Sequence, residues 1–225
     1  SNLRRQIVFS LRSAWLLGAY LLSAVVWAQD ASESAQGVVD DTTRRVMAAV
    51  VESRDYFDQD PERYYRQVQE ILDPVIDFRG FARSVMGPYA SSDRYRSLDE
   101  AGRARLRDQL DRFTEVMRLG LVRTYSKGLL AYGDARVELA PVADGDVSES
   151  RATVRQLVYD NQPEPYVLLY QMGRGKEGDW QLRNIIIEGV NLGEIYRNQF
   201  EASARQNDGN LDAVIASWTA VDVKA

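Results

Sequence analysis

The spacing of apolar residues along the chain changes once, close to Gly133. Before this point apolar residues recur every three or four positions, which is typical of helices that bury one face. The predicted helices span 38–56, 61–72, 78–86 and 98 to a point between 126 and 132. The first half of the chain is therefore predicted to be helical.

Short polar residues and glycines indicate where these helices begin and end. Asp60 and Asp77 are predicted N-caps, and Ser97 with Glu100 has the spacing of a capping box. Gly87, followed by proline, is predicted to end the third helix.

After Gly133 the apolar residues alternate with polar ones, which is typical of strands. The predicted strands span 135–142, 150–160, 165–174 and 180–190. Because the links between them are short and rich in turn formers, consecutive strands are expected to pair antiparallel. Two helices over 192–206 and 211–223 follow. This order predicts an α+β fold with N-terminal helices, a four-stranded antiparallel sheet and C-terminal helices.

The last two long strands are apolar on both faces, whereas a half-exposed antiparallel strand normally has one polar face. On the third strand one predicted face carries Val167 and Leu169. The other carries Tyr166, Leu168, Tyr170 and Met172. On the fourth strand Ile186 is predicted on one face, and Ile185 and Ile187 on the other. The pattern is explained either by helices that cover both faces or by a ligand between the sheet and the helices.

The chain passes from the last strand to a helix almost without a loop. Gly189 allows the turn, Asn191 is a predicted N-cap, and Glu194 lies three residues later, where it can complete the cap. Glu188 has no such local role, and a buried carboxylate would need a partner. This residue suggests an alternative function: the chain would be a small-molecule-binding or enzymatic α+β domain that uses Glu188 as a buried acid.

The chain contains neither His nor Cys. Without Cys, disulfides and thiolate metal sites are excluded, and without His the commonest general base and metal ligand is missing. Phosphate-loop and calcium-loop spacings are also lacking from the sequence. We therefore expect a protein that is not an enzyme and that uses neither a metal nor a cofactor.

The N-terminus has the organisation of a secretory signal peptide. Three arginines precede an apolar run over 14–27, and a small-x-small cleavage pattern ends at Ala28. The run is shorter than the roughly 20 residues that span a bilayer, which argues against the alternative of a membrane anchor. We predict a signal peptide over 1–28 and a single domain over 29–225.

Export of a chain without Cys indicates the periplasm. Loss of the three arginines would change the net charge from −5 to −8, and the sequence shows no basic patch with interleaved aromatic residues. Such a protein is poorly suited to nucleic acid, which we therefore exclude as a partner.

Three segments of the chain resemble one known family. They are "ILDPVIDFRGFARSVMGPYA" (71–90), "LVRTYSKGLLAYG" (121–133) and "IIIEGVNLGEIYRNQF" (185–200), of which the last is the most specific. With the signal peptide and the order of elements, they make the chain similar to the MlaC-type, or toluene-tolerance auxiliary, family of periplasmic phospholipid-binding proteins.

The resemblance implies a monomeric phospholipid carrier with an apolar pocket between the sheet and the helices. Its cargo would be phospholipid, moved between the outer and inner membranes to maintain outer-membrane lipid asymmetry. The implied partners are an inner-membrane ABC transporter complex with an MCE-domain subunit and an outer-membrane lipoprotein–porin complex.

Apolar residues on the predicted elements are candidates for the lining of this pocket. They are Phe78, Phe81, Val85, Met86, Phe113, Met117, Leu121, Tyr125, Leu168, Tyr170, Ile185 and Ile187. Each is equally compatible with a place in the solid core, and a register error of one residue would exchange the two strand faces. Arg79, Arg83 and Arg123 are candidates for contact with a phosphate at the mouth, although solvated or ion-paired arginine explains them as well.

Overall fold

The helices of the first half begin at residues whose side chains cap them. The computed structural model of the protein describes residues 33–218, and the predicted signal peptide lies outside them. The helices are α1 (Ala35–Ser53), α2 (Pro61–Leu72), α3 (Phe78–Met86), α4 (Ser92–Ser97) and α5 (Glu100–Leu129). Asp60 and Asp77 accept hydrogen bonds from the backbone N–H groups of Arg63 and Gly80, as predicted, and Gly87 ends α3 with a φ of 55°.

One predicted cap is wrong. Asp99, and not Ser97, caps α5, because its carboxylate accepts from the backbone N–H of Gly102 at 2.7 Å. Ser97 instead ends α4, and its hydroxyl donates to the carbonyl of Arg94. A 3₁₀ turn, Leu130–Tyr132, continues α5 towards the sheet.

The sheet contains the four predicted strands and a short fifth strand that the sequence pattern did not reveal. The strands are β1 (Arg136–Leu139), β2 (Arg151–Tyr159), β3 (Tyr166–Arg174), β4 (Trp180–Ile187) and β5 (Val190–Asn191). Each pairs antiparallel with the next, in the order β1-β2-β3-β4-β5. The α+β class is thus confirmed, with five strands in place of four.

Two helices, α6 (Leu192–Gln206) and α7 (Leu211–Ala216), follow the sheet. The bounds of α6 agree with the prediction. The last helix ends at Ala216, before the predicted residue 223, and residues 219–223 of that prediction lie outside the described part of the chain. Among residues 33–218 no helix combines the length and apolarity that crossing a bilayer requires.

The buried side chains form three cores. The C-terminal helical core joins α3, the first half of α5, α6 and α7, and its fully buried aromatic residues include Phe113, Tyr196 and Phe200. The N-terminal helical core joins α1 and α2 around Val50 and Tyr64. The sheet core packs the start of α1 on one end of the sheet, and its residues are Ala35, Val39, Ala152, Val154, Met172 and Trp180.

These contacts define the two sides of the sheet. Val154 and Met172 are buried against α1, whereas Arg155 and Gln171, which alternate with them, are exposed. Because successive side chains on a strand point to opposite faces, every second residue lies on the helix-facing side.

Candidate functional site

Accessible apolar surface on the helix-facing side is concentrated at one end of the strands. At the other end the sheet core is closed, with Val154 only 1% and Met172 4% exposed. Towards the end of β2, the start of β3 and the end of β4, every residue of 157–159, 166–170 and 185–187 is only half-buried. Those on the helix-facing side are Val158, Tyr166, Leu168, Tyr170, Ile185 and Ile187. We call this the open end of the sheet.

Strand register places four of the predicted lining residues side by side at the open end. Leu168 pairs with Ile187, and Tyr170 pairs with Ile185. The partners of Leu168 and Tyr170 on β2 are Gln156 and Val154, which are both buried. The predicted division of the strands into two faces is therefore correct at these positions.

A β-bulge keeps β4 in this arrangement. Leu182 pairs with Met172 and Asn184 pairs with Gln171, so Arg183 is an extra residue on β4. The bulge restores Ile185 and Ile187 to the same side as Leu182. Regular alternation would not predict this shift.

The twelve predicted lining residues divide into two groups of six. Phe78, Phe81, Val85, Met86, Phe113 and Met117 are between 0% and 8% exposed and belong to the helical cores. Phe78 packs with α1 and α2, away from the other five. The second group keeps accessible surface and consists of Leu121, Tyr125, Leu168, Tyr170, Ile185 and Ile187.

The second group connects α5 with the sheet. Leu121, Tyr125, Ile185 and Ile187 all pack against the C-terminal helical core from its edge. Tyr170 packs against the sheet core. Half-buried apolar residues thus extend from the edge of one core to the edge of another.

Tyr170 lies deep in the protein without being fully covered. Burial raises the pKa of its hydroxyl, which therefore stays protonated, yet the side chain retains accessible surface. Tyr64 provides a contrast, because burial also raises the pKa of its hydroxyl but the residue is 0% exposed in the N-terminal helical core. Neighbouring protein atoms therefore cover Tyr64 completely and leave part of Tyr170 uncovered.

The polar groups beside these half-buried residues already bond to one another. The Tyr170 hydroxyl donates to Gln156 Oε1 at 2.6 Å, and Gln156 Nε2 donates to Thr43 Oγ1 on α1 at 2.8 Å. On the helical side the hydroxyl oxygens of Tyr125 and Tyr196 lie 3.0 Å apart. Sequence reasoning missed Gln156, although a glutamine on the otherwise apolar face of β2 is a detectable signal.

The three arginines considered for phosphate contact all have protein partners. Arg123 forms an ion pair with Glu62 at 2.8 Å, and Arg79 forms one with Asp111. Arg83 donates to Ser92 Oγ and to a backbone carbonyl.

Glu188 does not have the environment expected of a buried acid. Its side chain is exposed, its φ is 50°, and its carboxylate accepts a hydrogen bond from the backbone N–H of Val167. The expectation of a buried carboxylate here is wrong, because the residue lies in the turn between β4 and β5. Among the described residues no cluster of acidic side chains is arranged to hold a metal ion.

Comparison with known proteins gives concordant matches. The model of the MlaC protein family matches residues 40–220. The toluene tolerance protein ttg2D of Pseudomonas putida is 28% identical over 210 residues, which cover 93% of this chain and 89% of that protein. A solved structure of a phospholipid-binding protein from Ralstonia solanacearum, in complex with a phospholipid, has a TM-score of 0.67 at 22% identity. That match covers 82% of this chain and 94% of the Ralstonia chain.

Proposed function

The chain belongs to the MlaC protein family, and we propose that it binds phospholipid with the acyl chains between the helix-facing side of the sheet and α5. The observation that carries the proposal is the set of half-buried apolar residues Leu168, Tyr170, Ile185 and Ile187 at the open end. Leu121 and Tyr125 of α5 are also half-buried and pack against the same helical core as Ile185 and Ile187. The Ralstonia protein of the same fold was solved with a phospholipid, which supports the choice of ligand.

Hydrocarbon burial supplies enough free energy for such a complex. Each buried methylene contributes about 0.8 kcal/mol, so two acyl chains correspond to on the order of 20 kcal/mol of transfer from water. Strand β3 has nine residues and at roughly 3.4 Å per residue is about 30 Å long, which is sufficient to lie along an acyl chain.

The chemistry of the site favours binding over catalysis. The tyrosine hydroxyls near the open space bond to other protein groups, so an apolar chain need not leave them unpaired. The sequence has no His or Cys to act as base or nucleophile. We propose a carrier that holds its cargo without changing it.

As a carrier, the protein would move phospholipid through the periplasm between the two membranes. We propose the inner-membrane ABC transporter complex with an MCE-domain subunit and the outer-membrane lipoprotein–porin complex as its partners. The support for this step is family membership and the similarity to a protein named for toluene tolerance.

A matched pair of substitutions on β3 tests the location of the acyl chains. Leu168→Trp adds a large side chain on the helix-facing side, and Leu169→Trp adds the same group on the opposite side of the same strand. Each variant is stripped of lipid, mixed with phospholipid vesicles, purified again and extracted for mass spectrometry.

We expect Leu168→Trp to lose most of its bound phospholipid, because the indole occupies the space of an acyl chain. Leu169→Trp should retain the amount found in the unmodified protein. Equal lipid content in the two folded variants would contradict the proposed location.

A further inference from the structure

Gln156 is an unusual residue for an apolar binding surface. It lies on the helix-facing side of β2 between Val154 and Val158, beside Leu168 of β3, and is only 3% exposed. A polar side chain buried this far must find hydrogen-bond partners in the protein or in a ligand, because an unpaired buried group is destabilising.

The protein supplies partners for only part of the Gln156 amide. Its oxygen accepts from the Tyr170 hydroxyl, and its nitrogen donates to Thr43 Oγ1. The nitrogen carries two hydrogens, and the described residues provide an acceptor for one of them. Exchanging the amide oxygen and nitrogen leaves the same result, since Thr43 would then donate, Tyr170 would accept, and one N–H would again have no acceptor.

The depth of Gln156 matches one part of a phospholipid. Gln156 lies three residues before Tyr159, the last residue of β2, and so about 10 Å along the strand from its end at roughly 3.4 Å per residue. A lipid with its head group near the end of β2 and its tails beside Tyr170 and Ile185 places its acyl ester groups between the two. An ester carbonyl accepts hydrogen bonds and cannot donate them, so it complements a lone N–H.

Resting on the proposed function, we propose that the second N–H of Gln156 donates to an acyl ester carbonyl of the bound phospholipid. Gln156 is then a specificity-determining residue that favours ester-linked over ether-linked glycerophospholipids. Tyr170 and Thr43 hold the amide in position through its other two hydrogen bonds.

Competition between two lipids tests this assignment on the unmodified protein. Lipid-free protein is mixed with vesicles that contain equal amounts of a diacyl phosphatidylcholine and the dialkyl ether analogue with the same chain lengths. After repurification, mass spectrometry of the extract gives the ratio of the two lipids. We expect the diacyl lipid to be enriched about tenfold, the effect of one hydrogen bond to a buried donor.

Two variants assign the preference to the amide. Gln156→Met keeps the length of the side chain and removes the donor, so the enrichment should disappear. Leu169→Ala changes the opposite side of β3 and leaves the amide and both of its partners in place, so the enrichment should persist.

The possible results separate this inference from the function on which it rests. Equal uptake of both lipids by the unmodified protein, or enrichment that survives in Gln156→Met, would overturn the role of Gln156 and leave phospholipid binding intact. Loss of enrichment in Leu169→Ala would also overturn it, because the donor and both of its partners are unchanged. Uptake of neither lipid would overturn both proposals.

Discussion

Individual apolar side chains in this protein differ in whether neighbouring protein atoms cover them completely. Phe113 is 0% exposed and contacts the rings of Phe200 and Trp218, with centroids 5.0 Å away in each case. Leu168 faces the helices as well but remains half-buried. The difference has a measurable consequence, because truncating a fully packed residue leaves a cavity whereas truncating a residue beside open space only enlarges that space.

We expect Phe113→Ala to lower the free energy of unfolding by about 3–5 kcal/mol. Leu168→Ala in the lipid-free protein should lower it by less than half as much. Urea denaturation followed by circular dichroism measures both. Similar losses for the two variants would place Leu168 in the solid core and argue against open space beside it.

Asp212 on α7 provides a pH-dependent contact at the same scale. Hydrogen bonds from Arg112 and then Arg105 on α5 lower the pKa of its carboxyl from 3.8 to about 2. A lowered pKa in the folded state stabilises the protein at pH values above the ordinary pKa, and this stabilisation is lost as the pH falls towards 2. Because the Asp212 side chain is 36% exposed, the contribution is modest, about 0.2–1 kcal/mol.

Asp212→Asn should therefore be less stable than the unmodified protein at pH 6, and the difference should shrink between about pH 4 and pH 2. Thermal denaturation at a series of pH values measures it. Asp144→Asn is a suitable control, because Asp144 is an exposed loop residue without an ion pair among residues 33–218. A difference that stays constant down to pH 2 would show that the Asp212 carboxylate contributes nothing.

At the scale of elements, the joint between β4 and α6 carries a dense set of polar contacts. Asn191 Oδ1 accepts from the backbone N–H of Glu194 at 3.1 Å and from Asn184 Nδ2 at 2.9 Å. Asn184 Oδ1 in turn accepts from the backbone N–H of Gly193. These bonds attach the start of α6 to β4, where Ile185 and Ile187 meet the C-terminal helical core.

Removing the cap tests how much this joint stabilises the fold. Asn191→Ala should reduce the free energy of unfolding by about 0.5–2 kcal/mol, the usual range for an N-cap. Asn191→Ser keeps a side-chain oxygen for the N–H of Glu194 and should lose clearly less. If both variants lose the same amount in urea denaturation, capping is not the stabilising interaction.

Local features explain which elements the sequence predicts well. The start of α6 follows from Asn191 alone, because an N-cap acts within one turn of the helix. The prediction that Ser97 caps α5 is wrong, because Ser97 and Asp99 are both residue types that cap helices well. In the structure Ser97 belongs to α4, and Asp99 is the cap. The bulge at Arg183 and the two-residue β5 depend on partner strands, so alternation along one strand cannot reveal them.

The candidate site was predictable only in part for a related reason. The helical stripe on α5 contains Phe113, Met117, Leu121 and Tyr125 at equivalent positions, and the sequence does not distinguish them. Phe113 and Met117 lie where α3, α6 and α7 converge on α5, so they are buried, whereas Leu121 and Tyr125 lie beyond that convergence and keep accessible surface. Which part of a stripe is covered depends on tertiary packing.

At the scale of the whole molecule, α5 connects the helical cores. Its 30 residues contribute Phe113 to the C-terminal helical core and Val122 to the N-terminal helical core. Ion pairs such as Arg123 with Glu62 on α2 attach its outer face to neighbouring helices. Since exposed pairs contribute little individually, the apolar cores are expected to set the position of α5.

The central claim is that this protein keeps hydrocarbon from a phospholipid between its sheet and its helices. The most direct measurement is organic extraction of the chain purified from a bacterial periplasm without added lipid, with mass spectrometry to identify and quantify what is released. We predict phospholipid in a fixed molar ratio to protein, and its return when stripped protein is mixed with vesicles. Folded protein that yields no phospholipid, and takes up none from vesicles, would contradict the claim.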